Sequence, residues 1–372
     1  MSKGNADGTS QFSSAQVEWE GAPRLDIRYE VVHKPTPAMF EAMTKVTPGL
    51  AGGGQDPVVK EIEALGAELT GHEEALFLPT TTNATVLSHM HADLTGKQLI
   101  LEARSHVWWV EALHVSAMAG AATRPLMGDK FGAMALDDIE AIINETQYGY
   151  RVPVGMISLE NTHNVAGGTV LTQEYTEKVA EMAHSHGAKL FLDGARVTNA
   201  AVAQDIPLKA LTEPCDYVAM SLNKGLGAPY GSLLGTSSEN MVGIRLLAKR
   251  LGMTAVHKSG LFAAAGIIAL TQMYEGLADD QRRAHHIATE LNKMDGLDVD
   301  METVQTNLFR VNTDALGMTS LELGNRLKEH GLGIHMLAPY AFKIALCFNI
   351  TDEMVEESLD IFRTVLAEVN DS

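Results

Sequence analysis

Two short segments hold the residue types that could do chemistry together. In Leu190-Phe191-Leu192-Asp193-Gly194-Ala195-Arg196 an apolar run ends in a carboxylate, followed by glycine, a small residue and a guanidinium. In Ser221-Leu222-Asn223-Lys224-Gly225-Leu226-Gly227 an amine closely follows a second apolar run, inside a glycine-rich loop that continues to Ser232. Singly, each has an ordinary reading: Asp193 is equally a surface carboxylate capping the next helix, and Lys224 an exposed loop lysine. The pair reads differently. If the two runs are successive strands, they end with a carboxylate and an amine side by side, 31 residues apart in the chain. The amine can form a Schiff base with a carbonyl cofactor. The carboxylate can keep a pyridine nitrogen protonated, so that the ring acts as an electron sink. Pyridoxal 5′-phosphate (PLP) requires both, and the glycines permit close backbone approach to a bound group.

The cofactor phosphate needs a cradle. Leu78-Pro79-Thr80-Thr81-Thr82-Asn83-Ala84-Thr85 offers an apolar run, a threonine cluster and a helix start. Backbone N–H groups there, with Thr81, Thr82 and Asn83, suit a phosphate dianion, although threonine also serves as a plain N-cap. His106, in Ser105-His106-Val107-Trp108-Trp109, follows an apolar run near 100 and could stack on the pyridine ring, or be an ordinary core or surface histidine. Trp108 and Trp109 read as packing residues. Leu159-Glu160-Asn161-Thr162-His163-Asn164 places a polar cluster past another apolar run, with His163 a candidate acid or base.

The elements that must position these residues follow from the hydrophobic pattern. Strands are expected at 75–78, 99–101, 155–159, 189–193 and 217–221, and helices from Pro37 to Met43, over 56–71 and over 173–185. This alternation predicts an α/β fold with a mostly parallel sheet flanked by helices, whose ligands sit at the carboxyl ends of the strands. A glycine-rich loop spans 51–54, and the apolar run from Gly260 to Leu270 reads as a buried helix. Beyond about 275 the chain turns more charged. A helix from Asp279 to Asn292, strands near 297–301 and 307–312, a helix over 319–330, a strand over 343–348 and a helix from Asp352 make a smaller α+β C-terminal domain. The expected division is a disordered 1–22, a large cofactor domain over 23–272 whose first segment contributes to the small domain, and a small domain over 273–372.

Composition bounds the partners. With 45% hydrophobic residues in 372 a sizeable core is possible, and a net charge of −19 argues against nucleic acid or an anionic membrane as partner. Two cysteines, Cys215 and Cys347, can build neither a disulfide framework nor a zinc cluster, so no metal is expected. The polar start lacks the apolar core of a secretory signal, and the longest apolar run falls short of the ~20 residues of a spanning helix. A cytoplasmic setting is expected.

Together these segments resemble the threonine aldolase/β-eliminating lyase family of fold-type-I PLP enzymes. The likeness is densest in L-E-N-T-H-N, L-D-G-A-R-V-T-N-A-A-V-A and S-L-N-K-G-L-G-A-P-Y-G-S-L-L, and runs more thinly from about Ile27 to the C-terminus, through F-L-P-T-T-T-N-A-T and S-G-L-F-A-A-A-G-I-I-A-L. The resemblance implies Lys224 as the Schiff-base lysine, Asp193 as the pyridine partner, His106 as the ring-stacking histidine and Thr81, Thr82 and Asn83 at the phosphate. Arg196 falls where the family binds cofactor or substrate carboxylate, and His163 on the histidine of E-N-T-H-N. It also implies a homodimer or homotetramer with sites at the subunit interface. Three places depart from the family pattern. Gly53 stands where the family has a tyrosine, His257 with Lys258 beside it replaces a phosphate-reaching arginine, and Lys343-Ile344-Ala345-Leu346-Cys347 replaces R-x-V-T-H. A lysine at 343 lacks the bidentate grip of arginine on a carboxylate.

The leading expectation is a PLP-dependent lyase that cleaves a β-hydroxy-α-amino acid into glycine and an aldehyde, with His106 or His163 taking the hydroxyl proton. The alternative keeps PLP and breaks Cα–H, with Lys224 as base, giving β-elimination or racemisation. A non-catalytic PLP-binding protein is the third possibility.

Overall fold

The computed structural model describes residues 16–50, 54–145, 151–254 and 256–370. By backbone contacts the chain divides into two units, Lys34–Gly276 and Met1–His33 with Leu277–Ser372. The strands, in chain order, are β1 (Leu25–Asp26), β2 (Glu74–Leu78), β3 (Gln98–Glu102), β4 (Ala122–Leu126), β5 (Val154–Glu160), β6 (Lys189–Gly194), β7 (Tyr217–Ser221), β8 (Ser232–Thr236), β9 (Leu308–Asn312), β10 (Leu332–Gly333), β11 (His335–Ala338) and β12 (Ala341–Ala345).

The large unit holds a seven-stranded sheet in the order β2-β8-β7-β6-β5-β3-β4. Only β8 runs antiparallel to its neighbours, β2 and β7. The pairs β7–β6, β6–β5, β5–β3 and β3–β4 are parallel. Buried Val, Ile, Leu and Phe fill β5, β6 and β7, as strands covered on both faces require. The carboxyl ends of β2, β3, β5, β6 and β7 therefore meet along one edge. Glu160 and Asp193 are cross-strand partners there.

Local chemistry sets the helices. Pro57–Thr70 starts at Asp56, whose Oδ1 accepts from the Val58 and Val59 N–H groups at 3.0 and 3.2 Å, with Pro57 in the first turn. It stops at Gly71, in the left-handed region at φ 70°. The other Asp56 oxygen accepts from Gly49 N–H at 2.8 Å. Gly260 lets a second helix, Gly260–Ile268, approach: a Cβ there would stand 2.4 Å from Asp56 Oδ2. Asp56→Ala should therefore destabilise this unit by roughly 1–2 kcal/mol, the upper range for a lost N-cap. Thermal or denaturant unfolding measures it, and a change of only a few tenths would mean the cap carries little. The helix begun at Gly260 continues through a π turn at Ala269–Met273, and the division between units falls at 276/277 rather than 272/273.

In the small unit β11, β12 and β9 form an antiparallel sheet, and β1 pairs with β10 in parallel. Phe309, Val311, Phe342, Ile344 and Met336 face a core shared with Leu25, Ile27, Leu323 and Phe362. The expected helix over 319–330 is Ser320–Glu329, opened by a capping box between Thr319 and Glu322. Two expectations are corrected. No strand forms at 297–301: Asp298 makes one isolated bridge with Asn312, and Met301–Thr303 is a 3-10 turn. The strand expected at 343–348 is Ala341–Ala345, paired with Leu308–Asn312; one further bond, from Leu346 N–H to Asn307 O at 2.8 Å, follows it. Of the N-terminal stretch expected to be disordered, residues 1–15 lie outside the described residues. Within residues 16–22 the Gln16 side chain exchanges two hydrogen bonds with the Met336 backbone, and Val17 joins the core. No single helix among the described residues is long and apolar enough to cross a membrane.

Candidate active site

Asp193 is the last residue but one of β6, with only 3% of its surface exposed. Its Oδ1 accepts from Ala195 N–H at 3.2 Å. Burial pushes this carboxyl up to about 6, and the neighbouring Glu160 charge adds to the rise; His106 and Lys224 pull the other way. The structure thus brings Asp193, Lys224 and His106 into one electrostatic neighbourhood. Lys224 stands half-buried just past β7, in a loop closed by hydrogen bonds from Leu222 N–H to Gly231 O and from Gly227 N–H to Lys224 O.

His106 opens a short helix, His106–Trp109, capped by Ser105. Its backbone N–H donates to Glu160 Oε2 at 2.6 Å, while Glu160 Oε1 accepts from Asn164 N–H at 2.8 Å. One carboxylate at the end of β5 therefore ties down two loops. The His106 ring is partly open, its side chain 38% exposed, with Nε2 3.7 Å from Glu111 Oε1. Glu111 raises the imidazole pKa most; burial opposes it, and Asp193 and Glu160 add to the rise.

His163 sits elsewhere. Its side chain is fully buried. Nε2 lies 2.9 Å from Glu102 Oε2, and Nδ1 accepts from Ala166 N–H at 3.2 Å. An N–H aimed at Nδ1 requires that nitrogen to be unprotonated, so the proton sits on Nε2 toward Glu102, even though the Glu160 and Glu102 charges outweigh burial and draw the ring's pKa upward. Burial raises the Glu102 carboxyl, but His163 and Arg104 outweigh it and hold it down at about 2. The backbone at Gly132, at φ 82°, fits only glycine against this ring: a Cβ would stand 2.4 Å from His163 Cδ2. With both nitrogens engaged inside the chain, His163 has the geometry of a structural residue.

The remaining candidates are placed as follows. Thr80, not Thr81, caps the helix Thr81–His91, accepting from Asn83 N–H; Thr81, Thr82 and Asn83 form its first turn at the end of β2. Arg196 is buried at the start of the helix Val197–Gln204. His257 and Lys258 stand exposed in the turn before Gly260–Ile268. Gly53 lies outside the described residues. Lys343 belongs to the small unit, buried in β12 between its register partners His335 and Arg310, its ammonium 5.8 Å from the centre of the Tyr29 ring. The Tyr29 hydroxyl bonds to His335 Nδ1. Burial, with the Lys343 and Arg28 charges, drives His335 down to about 3, so it is neutral. Sequence reasoning missed Glu111 and Glu102, because neither lies at a helical or strand spacing from the histidine it meets.

Along the strand ends of the large unit, then, stand a buried carboxylate, a primary amine, an imidazole and a helix N-terminus. The set can hold a cofactor with a ring nitrogen, a carbonyl and a phosphate. Comparison with protein families matches residues 26–314 to one described as beta-eliminating lyase. The chain belongs to the beta-eliminating lyase family. Within that family it is 34% identical to low-specificity L-threonine aldolase 1 of Arabidopsis thaliana over 345 residues, covering 92% of this chain and 96% of that one. It is 32% identical to the low specificity L-threonine aldolase of Escherichia coli K12, over 92% of this chain and 99% of the relative. The solved threonine aldolase of Leishmania major superposes with a TM-score of 0.78 at 18% identity, over 91% of this chain and 99% of that one. The fold is that of fold-type-I enzymes, and this member of the beta-eliminating lyase family is a lyase.

Proposed function

We propose that this chain binds PLP and cleaves β-hydroxy-α-amino acids into glycine and an aldehyde. The observation that carries the reading is the convergence of Asp193, Lys224 and His106 on one sheet edge. The buried Asp193 carboxyl, lifted to about 6 by lost solvation, fits a cationic N–H donor. Such a partner would return it to the ionised state. The first turn of Thr81–His91 fits the phosphate, and Lys224 fits the carbonyl. When bound, PLP supplies the electron sink for the broken Cα–Cβ bond.

The chain's own residues do the rest. Asp193 holds the ring nitrogen protonated. Arg196 grips the substrate carboxylate through charged hydrogen bonds. His106 would stack on the ring of the bound cofactor and would accept the β-hydroxyl proton as the aldehyde forms. His163 and Glu102 hold the E-N-T-H-N turn in shape. Assembly as a homodimer or homotetramer and a cytoplasmic setting are part of the same reading; Cys215 and Cys347 are both buried free thiols.

A panel of amino acids incubated with PLP and purified protein, with products identified by mass, tests it. Glycine and an aldehyde from threonine or another β-hydroxy amino acid are expected. A keto acid with ammonia would replace aldol cleavage by β-elimination, an inverted amino acid would replace it by racemisation, and no turnover would leave only binding.

A further inference from the structure

We propose that Glu111 is a positioning residue for His106: its carboxylate orients the imidazole and stabilises the proton that the ring takes up. The proposal rests on the aldolase reading above. Four observations carry it. Glu111 is buried, 1% exposed, at the N-cap position of the helix Ala112–Ala119, yet it makes no cap bond to that helix. The usual work of a carboxylate at a helix start is therefore absent. Its Oε1 instead lies 3.7 Å from His106 Nε2. Its Oε2 is buried and makes no well-formed hydrogen bond, with only the Thr82 and Thr85 hydroxyls turned toward the carboxylate.

The other acids around His106 are committed elsewhere. Glu160, at the end of β5, spends both oxygens on the backbone N–H groups of His106 and Asn164. Asp193, at the end of β6, is the partner assigned to the ring nitrogen. From the helix Thr81–His91, the Thr82 and Thr85 hydroxyls face Glu111 and favour its ionised form against burial. One turn on, His89 is buried and neutral, lowered to about 4 chiefly by burial, so it does not compete for the negative charge. That leaves Glu111 as the carboxylate able to respond when His106 gains a proton. A carboxylate beside Nε2 favours the tautomer protonated there and leaves Nδ1 to accept the substrate's proton. In that step the β-hydroxyl O–H bond breaks and its electron pair forms the aldehyde C=O as the Cα–Cβ bond breaks, that bond's pair staying with the glycine carbon, and the proton moves to His106. Glu111 then neutralises the imidazolium.

The sign of the effect is fixed. His106 acts as a base when neutral, above its pKa, and Glu111 raises that pKa. Removing the charge must lower the His106 midpoint and carry the acid limb of kcat/KM to lower pH, while the plateau kcat falls. The experiment compares wild-type, E111Q and E111D full-length protein labelled in histidine. The His106 midpoint is read by NMR without cofactor, its resonance assigned with H106N, alongside the pH profile of amino-acid cleavage by the PLP-loaded enzyme. In E111Q the midpoint should drop by about one pH unit, the acid limb should follow, and kcat should fall about tenfold. E111D, which keeps the charge, should restore part of both. Circular dichroism checks that each variant is folded. A His106 midpoint unmoved in E111Q overturns the proposal, and so does a moved midpoint with an unmoved acid limb. If the wild type cleaves no β-hydroxy amino acid, the aldolase reading fails by itself, and the NMR midpoint still decides whether Glu111 holds His106.

Discussion

Lys224→Ala should abolish turnover, with a loss of at least about 10³-fold, within the range seen when a group essential to proton transfer or charge stabilisation is removed. The reasoning is local. Lys224 is half-buried in a loop closed by its own backbone bonds, so truncating its side chain opens no cavity in the core. The fold should survive while the covalent hold on the cofactor is lost. Lys224→Arg sharpens the test, because a guanidinium keeps the charge but stays protonated and cannot attack a carbonyl. Both variants should lack the visible absorption of the linked cofactor, read by spectroscopy beside a product assay. If Lys224→Arg retains activity near the wild type, Lys224 acts as a charge and not as a nucleophile, and the assignment falls.

The placement of Lys224 and Asp193 was legible in the sequence for one physical reason: each is a polar residue placed at or just past a run of buried strand residues, where a parallel sheet presents its ligand edge. What stayed hidden was whatever depended on contacts distant in sequence. The edge strand β4 carries Arg124 and Pro125 and is largely exposed, so no apolar run announces it; Pro125 is tolerated because an edge strand has a face without a partner. β1 is a two-residue strand that exists only by pairing with β10 more than 300 residues later. His163 and His106 could not be told apart by residue type. The structure separates them by surroundings, one ring locked between Glu102 and the Ala166 N–H, the other open on one side. The run Ile344-Ala345-Leu346-Cys347 is buried throughout, yet the ladder stops at Ala345. Burial marked the core there but not the strand's end.

Asp193→Asn should move function and stability in opposite directions. The variant should still take up the cofactor on Lys224, yet lose at least about 10²-fold in kcat, because an amide cannot hold a pyridine nitrogen in its protonated form. In the cofactor-free protein the same change should stabilise. The buried carboxyl titrates near 6 when folded, above its ordinary value of 3.8, so the folded state binds more protons between those values and stability falls as pH rises through that window. Asparagine carries no such charge. The cofactor-free variant should therefore melt above the wild type at pH 7, and the gap should close as pH falls toward 4. Near-wild-type turnover, or a variant less stable than the wild type at pH 7, would contradict the assignment of Asp193 as a carboxylate held for the cofactor's sake.

The central claim is that Lys224 holds PLP at the sheet edge. Borohydride reduction of the PLP-loaded protein, followed by proteolysis and mass analysis of the labelled peptide, tests it most directly. The account predicts a stable cofactor adduct on Lys224, in the peptide containing Ser221-Leu222-Asn223-Lys224-Gly225. An adduct on another lysine, or a protein that carries no cofactor after reduction, would contradict it.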